Sequence, residues 1–368
     1  MKVCHLTDAH KTTDDRIYLK ECQSLAQAGY EVYLIGQGES FARDGVNIIG
    51  VGEMPNSRRR RMTKGAKCVF EKALSLDCDV YHFHDPELLP YGLKLKKLGK
   101  TVIFDSHEDV PAQIMDKKWI PLFVRKVVSR LYRTYETYVV KRIDAVVTAT
   151  PYIAEQFAGR AKQTVIINNY PKMDDILFHT TPFSEREPII CYAGGINEMR
   201  GEKVMVEVMK DVGGILILAG DHEIQEIKHE SGGVVRYVGR LDRNGVNDLY
   251  GKAVVGLCVL KPMQNYYYSQ PIKMYEYMAA GIPFICSDFP GWRKVAEESG
   301  GGVYVAFDDY DGIEAAIRGF LADRQRAQEM GQCGHDYVIT HCSWINEERK
   351  LIALYNALRG GEPSSKEQ

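Results

Sequence analysis

Short apolar runs alternate with longer amphipathic stretches along almost the whole chain. Val3–Leu6, Glu31–Ile35, Val46–Val51, Val80–His84, Thr101–Asp105, Ala145–Ala149 and Thr164–Ile167 read as strands. Several are apolar at consecutive positions, the pattern of parallel strands covered by helices on both faces. Between them, Ile17–Ala28 and Leu88–Leu98 carry helical spacing. The pattern restarts after residue 185. Strands are expected at Ile189–Ala193, Ile215–Ala219, Val234–Val238, Val254–Val259, Phe284–Cys286 and Gly302–Val305, with helices such as Val204–Lys210 between. Alternation of this kind predicts an α/β fold of two doubly wound, Rossmann-like units.

The stretch from Asn168 to Pro188 is polar and turn-rich, so the linker belongs there, with domains expected at 1–170 and 171–343. A last amphipathic helix begins at Trp344, with Trp344, Leu351, Tyr355 and Leu358 on one face and Gly360 and Gly361 at its end. Residues 361–368 read as a tail.

Composition changes this picture little. The 368 residues are 45% hydrophobic and 26% charged, the ordinary globular mix, which excludes collagen-like and disordered classes. No apolar run approaches the ~20 residues of a membrane span, and the first residues lack the apolar core of a signal peptide. Nine cysteines without a C-x-x-C pair argue against a disulfide framework or a cysteine zinc site, and the expected compartment is the cytosol. Charge is more telling. Residues 1–170 hold 26 Lys+Arg against 20 Asp+Glu, a net of +6, which leaves −8 for the remainder of a chain whose total is −2. A basic first domain is suited to an anionic partner.

Several common chemistries are missing. No G-x-G-x-x-G follows the first strand, no G-x-x-x-x-G-K-[ST] occurs, and there is no G-x-S-x-G. Nicotinamide dehydrogenases, P-loop nucleotidases and α/β-hydrolases normally show one of these. The most informative stretch is Pro271-Ile272-Lys273-Met274-Tyr275-Glu276-Tyr277-Met278-Ala279-Ala280-Gly281-Ile282-Pro283. Pro271 suits the first turn of a helix, and Lys273 and Glu276 then share a face near its N-terminus. A lysine beside free helix N–H groups can hold a diphosphate, and a carboxylate one turn on can bind ribose hydroxyls. The same spacing serves a plain surface ion pair.

This segment resembles the P-x-K-x-x-E-[AY]-M-A-x-G-x-P signature of family 4 glycosyltransferases, which have the GT-B fold. More of the chain agrees, in order. Tyr192-Ala193-Gly194-Gly195-Ile196 with Arg200-Gly201, then Leu218-Ala219-Gly220-Asp221, then Val238-Gly239-Arg240 resemble motifs of the family's second domain. His82-Phe83-His84-Asp85-Pro86 and Asp105-Ser106-His107-Glu108 resemble strand ends of a polysaccharide-associated subgroup.

The resemblance implies a retaining transfer of sugar from a nucleotide sugar, UDP-linked rather than GDP-linked, to a saccharide or lipid-linked hydroxyl in surface polysaccharide or lipopolysaccharide synthesis. It implies no cofactor and no metal. Glu276 would bind the donor ribose. Arg200 and Lys273 would neutralise the diphosphate, where leaving-group charge develops. Gly194, Gly195, Gly239, Arg240 and the run Tyr268-Ser269-Gln270-Pro271 would line the donor, and His107 would stand near the reacting sugar. Asp14, Asp15, Arg16, His84 and Asp85 would face the acceptor, and the helix from Trp344 would return to the first domain. Two positions depart from the family pattern: Tyr268 replaces a common second glutamate, and Gly195 a common arginine.

Other readings stay open at single positions. Asp14 and Asp15 equally suit a helix cap. His82 and His84 share a strand face, which with Asp85 and His107 fits either a metal site or a polar wall. Arg58, Arg59, Arg60 and Arg61 form the sharpest basic cluster. Lys117-Lys118-Trp119 leads into Arg125, Lys126, Arg130 and Arg133 interleaved with apolar residues, as on a helix lying on an anionic membrane or simply on a solvated face. A peripheral place on the inner membrane surface follows from the first of these. The rival functions are a GT-B nucleotide-sugar 2-epimerase, a non-catalytic scaffold and an RNA-binding protein. No nucleic-acid motif supports the last.

Overall fold

The computed structural model describes residues 1–53, 57, 60–117, 119–221 and 233–360. Arg58, Arg59 and Lys118 of the basic clusters, and the tail, therefore lie outside the described residues. The chain forms two compact units. One comprises Met1–Asn169 together with the chain from Ile345, the other Tyr170–Trp344.

The first unit holds β1 (Lys2–Lys11), β2 (Glu31–Gln37), β3 (Phe41–Arg43), β4 (Val46–Gly50), β5 (Val80–Phe83), β6 (Thr101–Ser106), β7 (Ala145–Thr148) and β8 (Thr164–Ile166). They form one sheet in the order β3-β4-β2-β1-β5-β6-β7-β8. Only β3 is antiparallel to its neighbour. This strand was not expected: its three residues are exposed and carry no alternation. The turn Asp44-Gly45, both with positive φ, folds it back on β4 as in a tight hairpin. The stretch expected as one helix from Ile17 to Ala28 is a wide π-helical turn over Ile17–Cys22 followed by an α-helix over Gln23–Gln27. That turn buries Lys20 and Glu21 beside Ile17 and Cys22.

The second unit holds β9 (Ile189–Ala193), β10 (Ile215–Ala219), β11 (Val235–Gly239), β12 (Ala253–Cys258), β13 (Phe284–Ser287) and β14 (Gly302–Val305), all parallel, in the order β11-β10-β9-β12-β13-β14. In both sheets the first strand lies mid-sheet, and the winding reverses beside it, between β1 and β5 and between β9 and β12. Strand ends at such a reversal open a crevice that ligands use.

Central strands are apolar because both faces are covered. Every residue of β5 and of β12 is buried. The helix Trp344–Gly360 packs within the first unit through buried Leu351, Leu354 and Tyr355. Its Glu347 accepts hydrogen bonds from the backbone N and the side-chain amide of Asn168 at 2.9 and 3.2 Å. All nine cysteines are free thiols, seven of them buried. Among the described residues, no helix is long and apolar enough to cross a membrane.

Candidate active site

In the second unit the residues expected to hold a donor gather at the end of β9. Gly194 adopts φ +142°, and its N–H reaches the carbonyl of Ala219 at 2.8 Å. A Cβ on Gly194 would stand 3.2 Å from Nζ of Lys273, and one on Gly195 3.3 Å from Nη1 of Arg200. The two glycines thus let both cations approach the backbone of one turn. Lys273 Nζ donates to Tyr192 Oη at 3.2 Å and lies 4.5 Å from that ring's centre, a cation–π contact. Tyr192 in turn donates to the carbonyl of Gly195 at 2.8 Å. Arg200 is fixed by Asn197, whose side chain accepts its N–H at 3.0 Å. Burial opposes the Arg200 charge, but Tyr192 and Tyr266 outweigh it and raise the pKa. Among the described residues, neither Arg200 nor Lys273 pairs with a carboxylate. Two partly or fully buried cations without counter-charge are what an anion site needs.

Glu276 lies one turn along the helix Ile272–Ala279. Its Oε1 meets Arg243 Nη1 at 2.9 Å and its Oε2 accepts from Tyr250 Oη at 3.0 Å. Each oxygen keeps a lone pair for a further donor. Pro271 precedes the helix with an extended backbone. The Ser269 carbonyl accepts from Trp292 Nε1 at 2.7 Å, and the buried Oε1 of Gln270 has no hydrogen-bond partner among the described residues. Tyr268 is exposed and stands edge-on to Tyr267, 5.1 Å between centres. Gly239 takes φ +71° at the end of β11, and Arg240 beside it is exposed, 3.6 Å from Asp221. Sequence reading gave no role of their own to Tyr192, Arg243 and Tyr250, which matter through Lys273 and Glu276.

In the first unit, His107 follows β6 and meets His10 edge to face, 5.1 Å between ring centres. Burial lowers the His107 pKa, and its Nδ1 has no hydrogen-bond partner among the described residues. His10 lies 3.4 Å from Asp14 and 3.5 Å from Asp85. The hydrogen bond to Asp14 carries the imidazole up to about 9 despite burial, with help from Asp85. Asp14 falls to about 2: burial opposes, but His10 and the N–H groups of Ile17 and Arg16 prevail. Asp14 therefore does cap the Ile17 turn, at 2.9 Å from Arg16 N and 3.0 Å from Ile17 N. Asp15 is exposed. Asp85 Oδ2 accepts from Thr7 Oγ1, Asp8 N and Ala9 N at 2.7, 2.8 and 3.3 Å, which shapes the end of β1. Asp8 and His10 were not foreseen.

Three expectations need correction. Arg16 does not face a ligand: it is buried, donates to both oxygens of Asp105 at 2.9 and 3.2 Å, and reaches the carbonyl of Ile167 at 2.8 Å. His84 is likewise internal, at 3.2 Å from Asp105 and 2.9 Å from Nδ1 of His5. Buried among such partners, neither side chain is placed to reach an acceptor sugar. Arg125 ties its helix to Met115 O at 2.6 Å rather than projecting freely, whereas Lys126 and Arg60 are exposed. Arg61 lies 4.0 Å from Glu87.

Comparison with known proteins gives the family and the fold. Residues 17–169 match the model of Glycosyltransferase Family 4, and residues 174–336 that of Glycosyl transferases group 1. Glycogen synthase of Mycobacterium tuberculosis is 23% identical over 261 residues, covering 65% of this chain and 60% of the relative. The chain thus spans about 60% of the length of that curated relative. Phosphatidyl-myo-inositol mannosyltransferase of Mycolicibacterium smegmatis is 22% identical over 299 residues, 77% of this chain and 72% of the relative. Sucrose-phosphate synthase from Thermosynechococcus elongatus shares the fold with a TM-score of 0.78 at 17% identity, over 98% of this chain and 100% of that one. Anabaena Alr3699/HepE in complex with UDP and glucose does so at 0.74 and 11%, over 97% and 100%. Two Rossmann-like units of this kind define the GT-B class. The chain belongs to the group 1, family 4 glycosyltransferases.

Proposed function

We propose that the protein transfers a sugar from a nucleotide sugar to an acceptor hydroxyl with retention of configuration. The observation that carries this is the pair Arg200 and Lys273, held against the glycine turn at the end of β9 with no carboxylate partner among the described residues. A diphosphate there receives two fixed charges and backbone N–H groups, so the negative charge that grows on the leaving group meets a prearranged field. Glu276, oriented by Arg243 and Tyr250, accepts hydrogen bonds from ribose hydroxyls. UDP is the favoured carrier, consistent with the UDP and glucose held by Alr3699/HepE. His107 and His10, at the end of the first unit's sheet, contact the acceptor. Neither the donor site nor its chemistry calls on a metal ion in this reading. The basic first unit favours an acceptor that carries a lipid diphosphate or sits on an anionic membrane, in polysaccharide or lipopolysaccharide assembly.

Thermal unfolding against UDP, GDP, ADP, dTDP and their sugars tests the donor site. A ligand at a hundred times its dissociation constant adds about 2.7 kcal/mol to the native state, a shift of a few degrees at this size. One nucleotide should raise the midpoint, and Glu276→Ala and Lys273→Ala should abolish the rise while leaving the ligand-free midpoint within a few degrees. No response to any nucleotide, in folded protein, would sink the proposal in favour of a non-catalytic scaffold.

A further inference from the structure

His5, Glu21, His82 and His84 are fully buried in the first unit, and their donor atoms all lie within 4.8 Å of one another. His5 on β1 stands in register with His82 on β5, and His84 follows two positions later. Glu21 comes from the π-helical turn. Its Oε2 is 3.8 Å from His5 Nδ1, 3.9 Å from His82 Nδ1 and 3.9 Å from His84 Nε2. Neither Glu21 oxygen accepts a hydrogen bond among the described residues, although Oε1 lies 3.1 Å from Arg16 Nε.

These distances disfavour the two ordinary explanations. A carboxyl bonded directly to an imidazole nitrogen would close to ~2.7–2.9 Å. A trapped water would need ~2.8 Å to each donor. The four atoms, all within 4.8 Å of one another, surround a point that small ring rotations would bring to the ~2.0–2.2 Å of a zinc–nitrogen or zinc–oxygen bond. Buried Arg16 faces two buried carboxylates, Glu21 and Asp105, so added positive charge is electrostatically accommodated beside the cluster.

We infer that His5, Glu21, His82 and His84 bind a divalent first-row transition metal ion, zinc for preference, as a structural site of the first unit. Three imidazoles and a carboxylate suit such an ion. Four protein donors with no exposure leave no open position for a substrate, which separates this site from catalysis. For His84 the outer partner is in place: Asp105 accepts from its Nδ1 at 3.2 Å, the carboxylate–histidine–metal arrangement. Without an ion, the 2.9 Å contact between His5 Nδ1 and His84 Nε2 is a hydrogen bond. On ligation that proton resides on His5 Nε2, where Tyr355 Oη at 3.2 Å accepts it, and any proton on Glu21 leaves to solvent. His82 Nδ1 exchanges its 2.9 Å contact with Tyr355 Oη for the ion, and the two rings of His5 and His84, 22° between planes, turn inward. The ion would fasten β1, β5 and the Glu21 turn together. None of this depends on the sugar-transfer reading.

The test uses the untagged full chain, purified in chelator-free buffer, with metal content read by plasma mass spectrometry. About one equivalent of one transition metal is expected, and below about a tenth in Glu21→Gln and in His84→Gln. In parallel, wild-type protein is unfolded with a chelator and refolded with or without zinc, so the question stays decidable if a variant fails to fold. Zinc should raise the unfolding midpoint by several degrees. Folded wild-type protein with no metal and a midpoint indifferent to zinc would overturn the inference and leave a shared proton to balance the cluster. Metal retained at full occupancy in both folded variants would overturn the placement.

Discussion

Asp8 concentrates the cost of the first unit's site in one side chain. It is fully buried, and neither carboxyl oxygen has a hydrogen-bond partner among the described residues. Burial, reinforced by Asp85 and Glu87, pushes its pKa up to about 8. The native state therefore keeps a proton that the unfolded chain loses near pH 4. Stability from the protonated form is complete below pH 4 and is lost as pH rises toward 8. Asp8→Asn replaces the acid with a neutral group of the same shape. Urea unfolding should show the variant about 2–4 kcal/mol more stable than wild type at pH 8, with the gap closed near pH 4. Equal destabilisation at both pH values would mean that the carboxylate has a partner worth keeping. His10, two residues on, shifts in the other electrostatic sense because it has found Asp14 and Asp85. One strand end thus holds a suppressed negative charge at Asp8 beside a positive one at His10 that Asp14 and Asp85 keep in place.

At the scale of the element, close backbone approach decides what the site tolerates. Gly220 ends β10 with φ +151°, and a Cβ there would run into the carbonyl of Gly194. Backbone on both sides leaves no flexible side chain to yield. Gly220→Ala should cost at least ~3 kcal/mol and disturb the glycine turn against which Lys273 and Arg200 pack, so calorimetry should show a lower midpoint and nucleotide protection should fall together. A midpoint within a degree of wild type would show that the turn can slide aside. The same elements show what was legible beforehand. β9, β10 and β14 could be bounded from sequence because parallel strands are short apolar runs between turn residues. β3 could not, since its three exposed residues pack on nothing and only Asp44-Gly45 signals the hairpin. Spacing placed Lys273 and Glu276 on one helix face, but it served a surface ion pair equally, and only the resemblance singled them out for a donor. His5 and Glu21 were not: a single polar residue within an apolar strand, or on a turn wider than an α-helix, shows its role only when neighbouring strands bring His82 and His84 alongside.

The whole molecule sets a basic first unit against an acidic remainder, +6 against −8 over residues 1–170 and 171–368. The basic unit also carries the most conspicuous apolar surface among the described residues. The helix Leu122–Val140 buries only Glu136, Val139 and Val140, while Trp119 before it is 78% exposed, and Phe123 and Leu131 on it are 77% and 65% exposed. Lys126 and Arg130 stand exposed among them. Apolar side chains left in water beside cations fit the headgroup region of an anionic bilayer, where the rings and aliphatic chains enter the interface and the charges meet phosphates. Each cation near such a surface contributes about 1 kcal/mol, and the benefit fades with salt. Co-sedimentation with vesicles should show binding to phosphatidylglycerol-containing membranes and little to pure phosphatidylcholine. Lys126→Gln with Arg130→Gln should weaken it roughly tenfold or more, and high salt should mimic that loss. Phe123→Ser with Leu131→Ser should weaken binding at every salt concentration, because the apolar contribution is unscreened. Nucleotide protection should be unchanged in both pairs, since these residues belong to the first unit and the donor turn to the second. Binding that ignores lipid charge, or no binding accompanied by a dimer that the Phe123 and Leu131 changes dissolve, would assign this face to a second protein copy instead of a membrane.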